Sequence, residues 1–140
     1  MDVSETAVIT ANINIEKHNL KNIKTVKGDI FQDVFSNEKF DIVVSNPPYI
    51  RRDIIKGLPV EVSEYEPKLA LDGGEDGLIF YRRIAEVFNK IHGENALLCV
   101  EIGHDQKQDV EKIFENLNIF KKIETDKDLG GNDRVVTGFL

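Results

Sequence analysis

Two consecutive prolines, Pro47 and Pro48, come directly after the apolar run Phe40-Asp41-Ile42-Val43-Val44-Ser45 and are framed by Asn46 and Tyr49. A short run rich in β-branched residues reads as a buried strand. A proline ring fixes φ and removes the amide N–H, so neither Pro47 nor Pro48 can extend a sheet ladder as donor. The strand must therefore give way at Ser45 to a stiff loop that opens with a side-chain amide and closes with an aromatic ring. Such a loop suits the capture of a planar group bearing an NH2. The nitrogen of an amide or an aromatic amine has its lone pair tied up in conjugation, so alkylating it requires acceptors that hold both N–H bonds. The Asn46 side-chain oxygen and the Pro47 carbonyl can be those acceptors, and Tyr49 can stack on the flat group. Catalysis of this kind works by positioning, not by acid–base chemistry. A plain proline turn after a strand accounts for the same residues without a function.

Helices and strands alternate around this segment. Ser4 is placed to cap a helix bearing Ala7, Val8, Ala11 and Ile15 as far as His18, with Asn19 at its stop. Residues 24–27 read as a short strand closing at Gly28-Asp29, and residues 50–75 as an ordered, aperiodic loop over the site. Residues 77–91 are amphipathic, with Ile79, Phe80, Ile84, Val87, Phe88 and Ile91 on the apolar face and His92-Gly93 ending the helix. Beyond it come a strand over 96–102, a helix over about 106–116, and strands over 120–124 and 134–139. This order predicts an α/β fold, a mainly parallel sheet covered on both faces, with a short last connection that allows an antiparallel pair at one edge. Ligands on such sheets bind beyond the C-terminal strand ends, where Asn46 and Asp29 both fall.

The length, 140 residues, is that of one domain, and the reading is a single unit over 1–140. The lone Cys99 lies in an apolar strand and reads as a packed thiol, which points to a reducing compartment. No stretch approaches the roughly 20 apolar residues that span a bilayer, and the acidic start is unlike a signal peptide. A soluble cytoplasmic protein is expected. The 25 acidic residues outnumber the 18 basic ones, against the basic footprint usual for enzymes acting on nucleic acid. Arg51-Arg52 reads as a solvated loop pair, and no Cys/His spacing suits a metal. His18, His92 and His104 fall at helix ends or loops as surface positions or caps.

Asn46-Pro47-Pro48-Tyr49 resembles the signature of S-adenosylmethionine-dependent methyltransferases that modify planar NH2 groups. The block from Val62 through Tyr65-Glu66-Pro67 and Leu71-Asp72-Gly73-Gly74-Glu75-Asp76-Gly77 to Ile84 narrows the resemblance. So do Glu101-Ile102-Gly103 with Gln106, and Gly131-Asn132-Asp133-Arg134-Val135-Val136. Together they resemble the peptide-chain release factor glutamine methyltransferases over nearly the whole chain. The resemblance implies a class I S-adenosylmethionine-dependent methyltransferase (Rossmann-like) fold. It implies methyl transfer from S-adenosylmethionine to the side-chain nitrogen of a glutamine in a Gly-Gly-Gln loop of release factors. Asn46, Pro47, Pro48 and Tyr49 would hold the glutamine, with Asn46 also bordering the cofactor. Asp2 would accept from the ribose hydroxyls, Asp29 would contact the adenine amino group, and Ile30 would pack on its ring. Read only as residues, Asp2 is equally a cap and Asp29 a turn former. Glu66 and Glu101 read as structural, and Asp133-Arg134 as a salt bridge pinning the last hairpin.

The family carries a first strand with a Gly-rich turn before the position of Asp2, and a helical domain before that. The ten glycines here include no G-x-G-x-G pattern, so the chain resembles the second half of such an enzyme, truncated at its N-terminal side. In the family the first two strands separate the segments around Val26 and Val43. Their loss would open a gap of roughly 10 Å. The expectation is that those two segments pair directly, or that two chains complete each other's sheets. Two other readings stand beside the first: an amino-methyltransferase acting on adenine or cytosine in nucleic acid, and a folded fragment without activity of its own.

Overall fold

The computed structural model describes residues 1–35 and 38–140. The chain divides into two compact units, Met1–Ser36 and Asn37–Leu140.

In the first unit the expected helix is α1, Glu5–Lys17, and its ends are set by side-chain chemistry. The Asp2 carboxylate accepts from Ser4 N at 2.8 Å, and Ser4 Oγ in turn accepts from Ala7 N at 3.3 Å, satisfying an N–H that the helix cannot. Glu5 in the first turn and Lys17 in the last complement the helix dipole. Asn19 adopts φ 51° just past the end, a conformation that asparagine tolerates well. No residue of α1 is buried, and Ile9 and Ile13 are exposed. The strand expected over residues 24–27 is reduced to one parallel bridge between Asp2 and Lys27.

The second unit contains β1 (Phe40–Ser45), a 3-10 turn (Ile55–Gly57), α2 (Val60–Ser63), α3 (Lys68–Leu71), α4 (Ile79–Ile91), β2 (His92–Glu101), α5 (Lys107–Glu115), β3 (Lys122–Lys127) and β4 (Asp133–Phe139). The sheet order is β1-β2-β4-β3. β1 runs parallel to β2 with Val43 opposite Leu98, whereas β4 is antiparallel to both β2 and β3. Among the described residues the sheet is mixed, one parallel ladder and two antiparallel. The final strand turns back and inserts between β2 and β3, while β1, β2 and β3 run in one direction, as the mainly parallel expectation has it. The expected antiparallel C-terminal pair is β3–β4.

The core lies under α4 and α5. Tyr81, Ile84, Ala85, Phe88 and Ile91 are buried at the i, i+3, i+4, i+7 spacing of one helix face. Ile79, read as part of that face, is exposed, because Tyr81 takes the inner position and satisfies its hydroxyl there. Leu98 and Val100 of β2 and Ile102 just after it are buried with α4, α5 contributes Val110 and Phe114, and Phe120 stacks on both Phe88 and Phe114 with centroids 5.6 and 5.1 Å apart. Burying one such aromatic ring stabilises by roughly 1.5–3 kcal/mol.

β1 departs from the buried strand expected of it. Ile42 is 61% and Val44 72% exposed, on the same face of the strand. β1 is an edge strand whose ladder is with β2, and the pairing expected between the segments around Val26 and Val43 is not among the ladders of the sheet. Residues 50–75, expected to lack periodicity, contain the 3-10 turn, α2 and α3.

Candidate active site

Ser45 is opposite Val100 of β2, and the chain leaves the sheet there as the two prolines require. Asn46 is exposed and its side chain hydrogen-bonds no other described residue, Pro47 is buried, and Pro48 and Tyr49 are half-buried. The loop thus anchors itself through Pro47 and presents the Asn46 amide outward.

The glycine-rich block after α3 folds back onto the loop. Ile50 N donates to Leu71 O at 3.0 Å, Gly73 N to Ile50 O at 2.9 Å and Arg52 N to Gly74 O at 2.9 Å. Arg52 Nε meets Asp72 Oδ2 at 2.9 Å, and Gly74 N donates to Asp72 Oδ1 at 2.9 Å. The Arg52 guanidinium, and then the Gly74 N–H, hold the Asp72 carboxyl below its usual range. Two glycines permit the close approach. A Cβ at Gly73 would stand 2.8 Å from Tyr49 Cα and C, and one at Gly77, whose φ is 75°, would stand 2.6 Å from Tyr49 O. The glycines of this block therefore serve the proline loop.

Tyr49 is held at both ends. Its hydroxyl donates to Glu101 Oε1 at 3.3 Å, at the C-terminal end of β2. Its carbonyl accepts from Gln106 Nε2 at 3.0 Å. Burial first, then the charge of Glu101, pushes the Tyr49 phenol above its usual range, with Arg134 opposing. Burial pushes Tyr81 up likewise. Both remain neutral phenols near pH 7, so Tyr49 suits packing and not proton abstraction. Arg134 donates to Ile102 O at 3.2 Å and pairs with Asp128 at 3.0 Å. Asp133 pairs instead with Lys127 at 3.2 Å. The single Asp133–Arg134 bridge read from the sequence is thus two bridges, because neighbours on a strand point to opposite faces.

The three residues read as cofactor contacts lie in the first unit. Asp2 N donates to Val26 O at 3.1 Å and Gly28 N to Asp2 O at 3.0 Å, which sets Asp2 beside the turn that bears Asp29. Asp29 Oδ1 accepts from Phe31 N at 2.9 Å, making the residue a turn former as well as a candidate ligand. Ile30, next in the turn, is half-buried. Exposed Asp2 and half-buried Asp29 present two carboxylates on adjoining segments, a donor-seeking pair that fits the hydroxyl and amino groups of a nucleoside. Among the described residues no group of three or more His, Cys, Asp or Glu is arranged for a metal ion, and no helix is long and apolar enough to cross a membrane. His18 and His104 are exposed, and His92 is half-buried beside Phe88.

Residues 3–91 match the family model described as Eco57I restriction-modification methylase. The chain belongs to this methylase family. Within it, the resemblance read from the motifs holds across the sequence: the chain is 47% identical over 137 residues to the release factor glutamine methyltransferase of Clostridium acetobutylicum, covering 96% of this chain and 48% of the relative. It is 43% identical over 107 residues to the ribosomal protein uL3 glutamine methyltransferase of Francisella tularensis, covering 76% of this chain and 33% of that one. The chain spans about half the length of the curated release factor methyltransferases it matches. A crystal structure of a methyltransferase from Pyrococcus furiosus superimposes with a TM-score of 0.67 at 19% identity, covering 98% of this chain and 59% of that one. The fold is that of S-adenosylmethionine-dependent methyltransferases.

Sequence reading gave Gln106, Tyr81, Gly73 and Gly77 no role, although they hold the loop in place. The sequence does carry a signal for the glycines: two adjacent and one three residues on, in a segment otherwise charged, mark a close backbone approach.

Proposed function

We propose that the protein is part of an S-adenosylmethionine-dependent methyltransferase that methylates the side-chain amide nitrogen of glutamine in the Gly-Gly-Gln loop of peptide-chain release factors. The observation that carries this reading is the Asn46-Pro47-Pro48-Tyr49 loop, braced from behind while the Asn46 amide faces outward. The Asn46 oxygen and the Pro47 carbonyl accept from the two N–H bonds of the glutamine amide, Pro48 stiffens the turn, and Tyr49 packs on the amide plane. The amide is held with its nitrogen directed at the methyl carbon, so orientation supplies most of the barrier lowering. When bound, S-adenosylmethionine would supply its sulfonium methyl group, the S–CH3 bond breaking as the N–CH3 bond forms and S-adenosylhomocysteine leaving. Asp2 and Asp29 would hold its nucleoside through hydroxyl and amino donors, with Ile30 against the ring and Asn46 at the border with the substrate. The nitrogen that has gained the methyl group then releases its proton to water.

The partner is accordingly a protein, and the net charge of −7 supports this over nucleic acid. We further infer that both compact units belong to one partial methyltransferase domain, that the enzyme works in the cytoplasm, and that chains associate through the exposed edge of β1. The second reading, methylation of amino groups in nucleic acid, is favoured by the description of the matching family model.

Incubation with methyl-labelled S-adenosylmethionine and a release factor, followed by peptide mapping, tests the proposal. Label on the glutamine, lost when that glutamine is replaced by alanine, is the expected result. Label on an adenine-containing oligonucleotide with steep salt dependence would establish the second reading. Absence of S-adenosylmethionine binding in a calorimetric titration would leave a folded unit without activity of its own.

A further inference from the structure

We infer that Gln106 is the positioning residue of the site, the one side chain that locks the Asn-Pro-Pro-Tyr loop to both the glycine block and the end of β2. The inference rests on the function proposed above for its catalytic consequence, and on geometry for the rest. Gln106 stands at the start of α5, is 7% exposed, and makes every hydrogen bond that an amide side chain can make. Nε2 donates to Tyr49 O at 3.0 Å and to Gly77 O at 3.2 Å. Oε1 accepts from Gly103 N at 3.0 Å and from the Tyr81 hydroxyl at 3.2 Å. Two carbonyls on one side and two donors on the other permit a single orientation of the amide.

The four partners come from four places: the proline loop, the glycine block, the turn after β2, and the buried face of α4. No neighbouring described residue bridges so many. The Tyr81 hydroxyl also lies 3.0 Å from Glu101 O, so its one proton is shared between the strand end and Gln106. The absence of a side chain at Gly77 makes room for the amide, since a Cβ there would stand 2.7 Å from Nε2. Glu101, which receives the Tyr49 hydroxyl, lies two residues before Gly103, so the same corner fixes both the ring and the carbonyl of Tyr49. Gln106 touches neither substrate nor cofactor in this scheme. It sets where Asn46 and Pro47 stand by fixing the far end of their loop, and a loop that can shift by an ångström loses the alignment on which positioning catalysis depends.

Hydrogen exchange on the 140-residue chain tests this without needing turnover. In Gln106→Met, which keeps the volume and removes all four bonds, the amides of Ile50, Gly73 and Gly103 should exchange about tenfold faster or more, and in Gln106→Glu, which keeps the two acceptor bonds and sets an oxygen against two carbonyls, those of Ile50 and Gly73 should do so, with Leu98 and Val100 unchanged in both. Where the chain transfers methyl groups, kcat should fall about a hundredfold with KM for S-adenosylmethionine unchanged. Unchanged exchange at Ile50 and Gly73 in either variant overturns the inference. So does acceleration that extends equally to Leu98 and Val100, which would make Gln106 a general contributor to stability. If neither variant folds, the unsubstituted chain decides. A common protection at Ile50, Gly73 and Gly103 supports the inference, and independent opening of Gly103 overturns it. A chain that shows no methyl transfer leaves the exchange result standing, whereas label on an oligonucleotide instead of a glutamine refutes the proposed function.

Discussion

Asn46 and Tyr49 bracket the loop and answer to different physics. Asn46 is exposed and its side chain supports nothing else among the described residues, so Asn46→Ala should leave the unfolding free energy within about 0.5 kcal/mol of the parent. Transfer to the glutamine amide should fall by about a hundredfold, because one of two acceptors on the NH2 group is gone. A radiolabel assay paired with a denaturant curve reads both. Tyr49 has a structural duty through Glu101, and its pH behaviour shows the sign. A phenol whose folded value is raised stabilises the fold fully below its ordinary value of 10.0, and that contribution disappears as pH rises through the raised value. Stability measured by urea unfolding should therefore decline above about pH 10, and Tyr49→Phe should remove part of the decline. Tyr81, raised chiefly by burial, contributes in the same direction. A flat profile across that range would contradict the placement of both rings. The loop at Asn46, Pro47 and Tyr49 was legible in the sequence because a proline's effect on the chain is local. Gln106 was not, since an amide that joins four segments has no signature in any of them.

At the scale of elements, the glycines of the chain separate three kinds of constraint. Gly73→Ala places a methyl against the Tyr49 backbone, which cannot yield as a side chain tip can, and should cost about 1–3 kcal/mol while loosening the proline loop. At Gly131, φ is 83° and nothing lies within 4 Å, so Gly131→Ala should cost about 1–2 kcal/mol through backbone strain without touching the site. Gly57, with open space and no positive φ, should accept alanine with a small gain of about 0.4–1 kcal/mol from a less flexible unfolded chain. Chemical denaturation of the three variants orders them, and an equal loss at Gly57 and Gly73 would refute the close approach to Tyr49. Boundaries of α1, β1 and α5 could be read to within a residue or so, because Ser4, the prolines and the periodic faces act locally. The strand over residues 24–27 could not, since a strand exists only where a partner strand lies beside it. The burial of Tyr81 in place of Ile79 depended on a hydroxyl partner on β2, twenty residues away.

At the scale of the molecule, the sheet is well sealed on the α4 and α5 side and open at β1. Val100 and Val136 are fully buried, whereas Ile42 and Val44 show most of their surface to solvent. An edge strand with two exposed β-branched side chains is a template for association, and here it carries no proline or lysine to blunt it. The strand β1 could be read from its apolar run, but the exposure of Ile42 and Val44 could not, because burial depends on what packs against the strand. Sedimentation velocity over a range of concentrations should show reversible self-association of the chain. Val44→Lys should shift the equilibrium toward monomer, since a charge on an edge strand, beside its own copy in a paired chain, opposes edge pairing. The substitution sits on an exposed position, so the unfolding free energy should move by no more than about 0.5 kcal/mol. A parent chain that sediments as a monomer at every concentration would show that the β1 edge does not drive association. If Val44→Lys leaves a dimer intact, chains meet through another surface, and the exposed apolar side chains of α1 become the next place to introduce a charge.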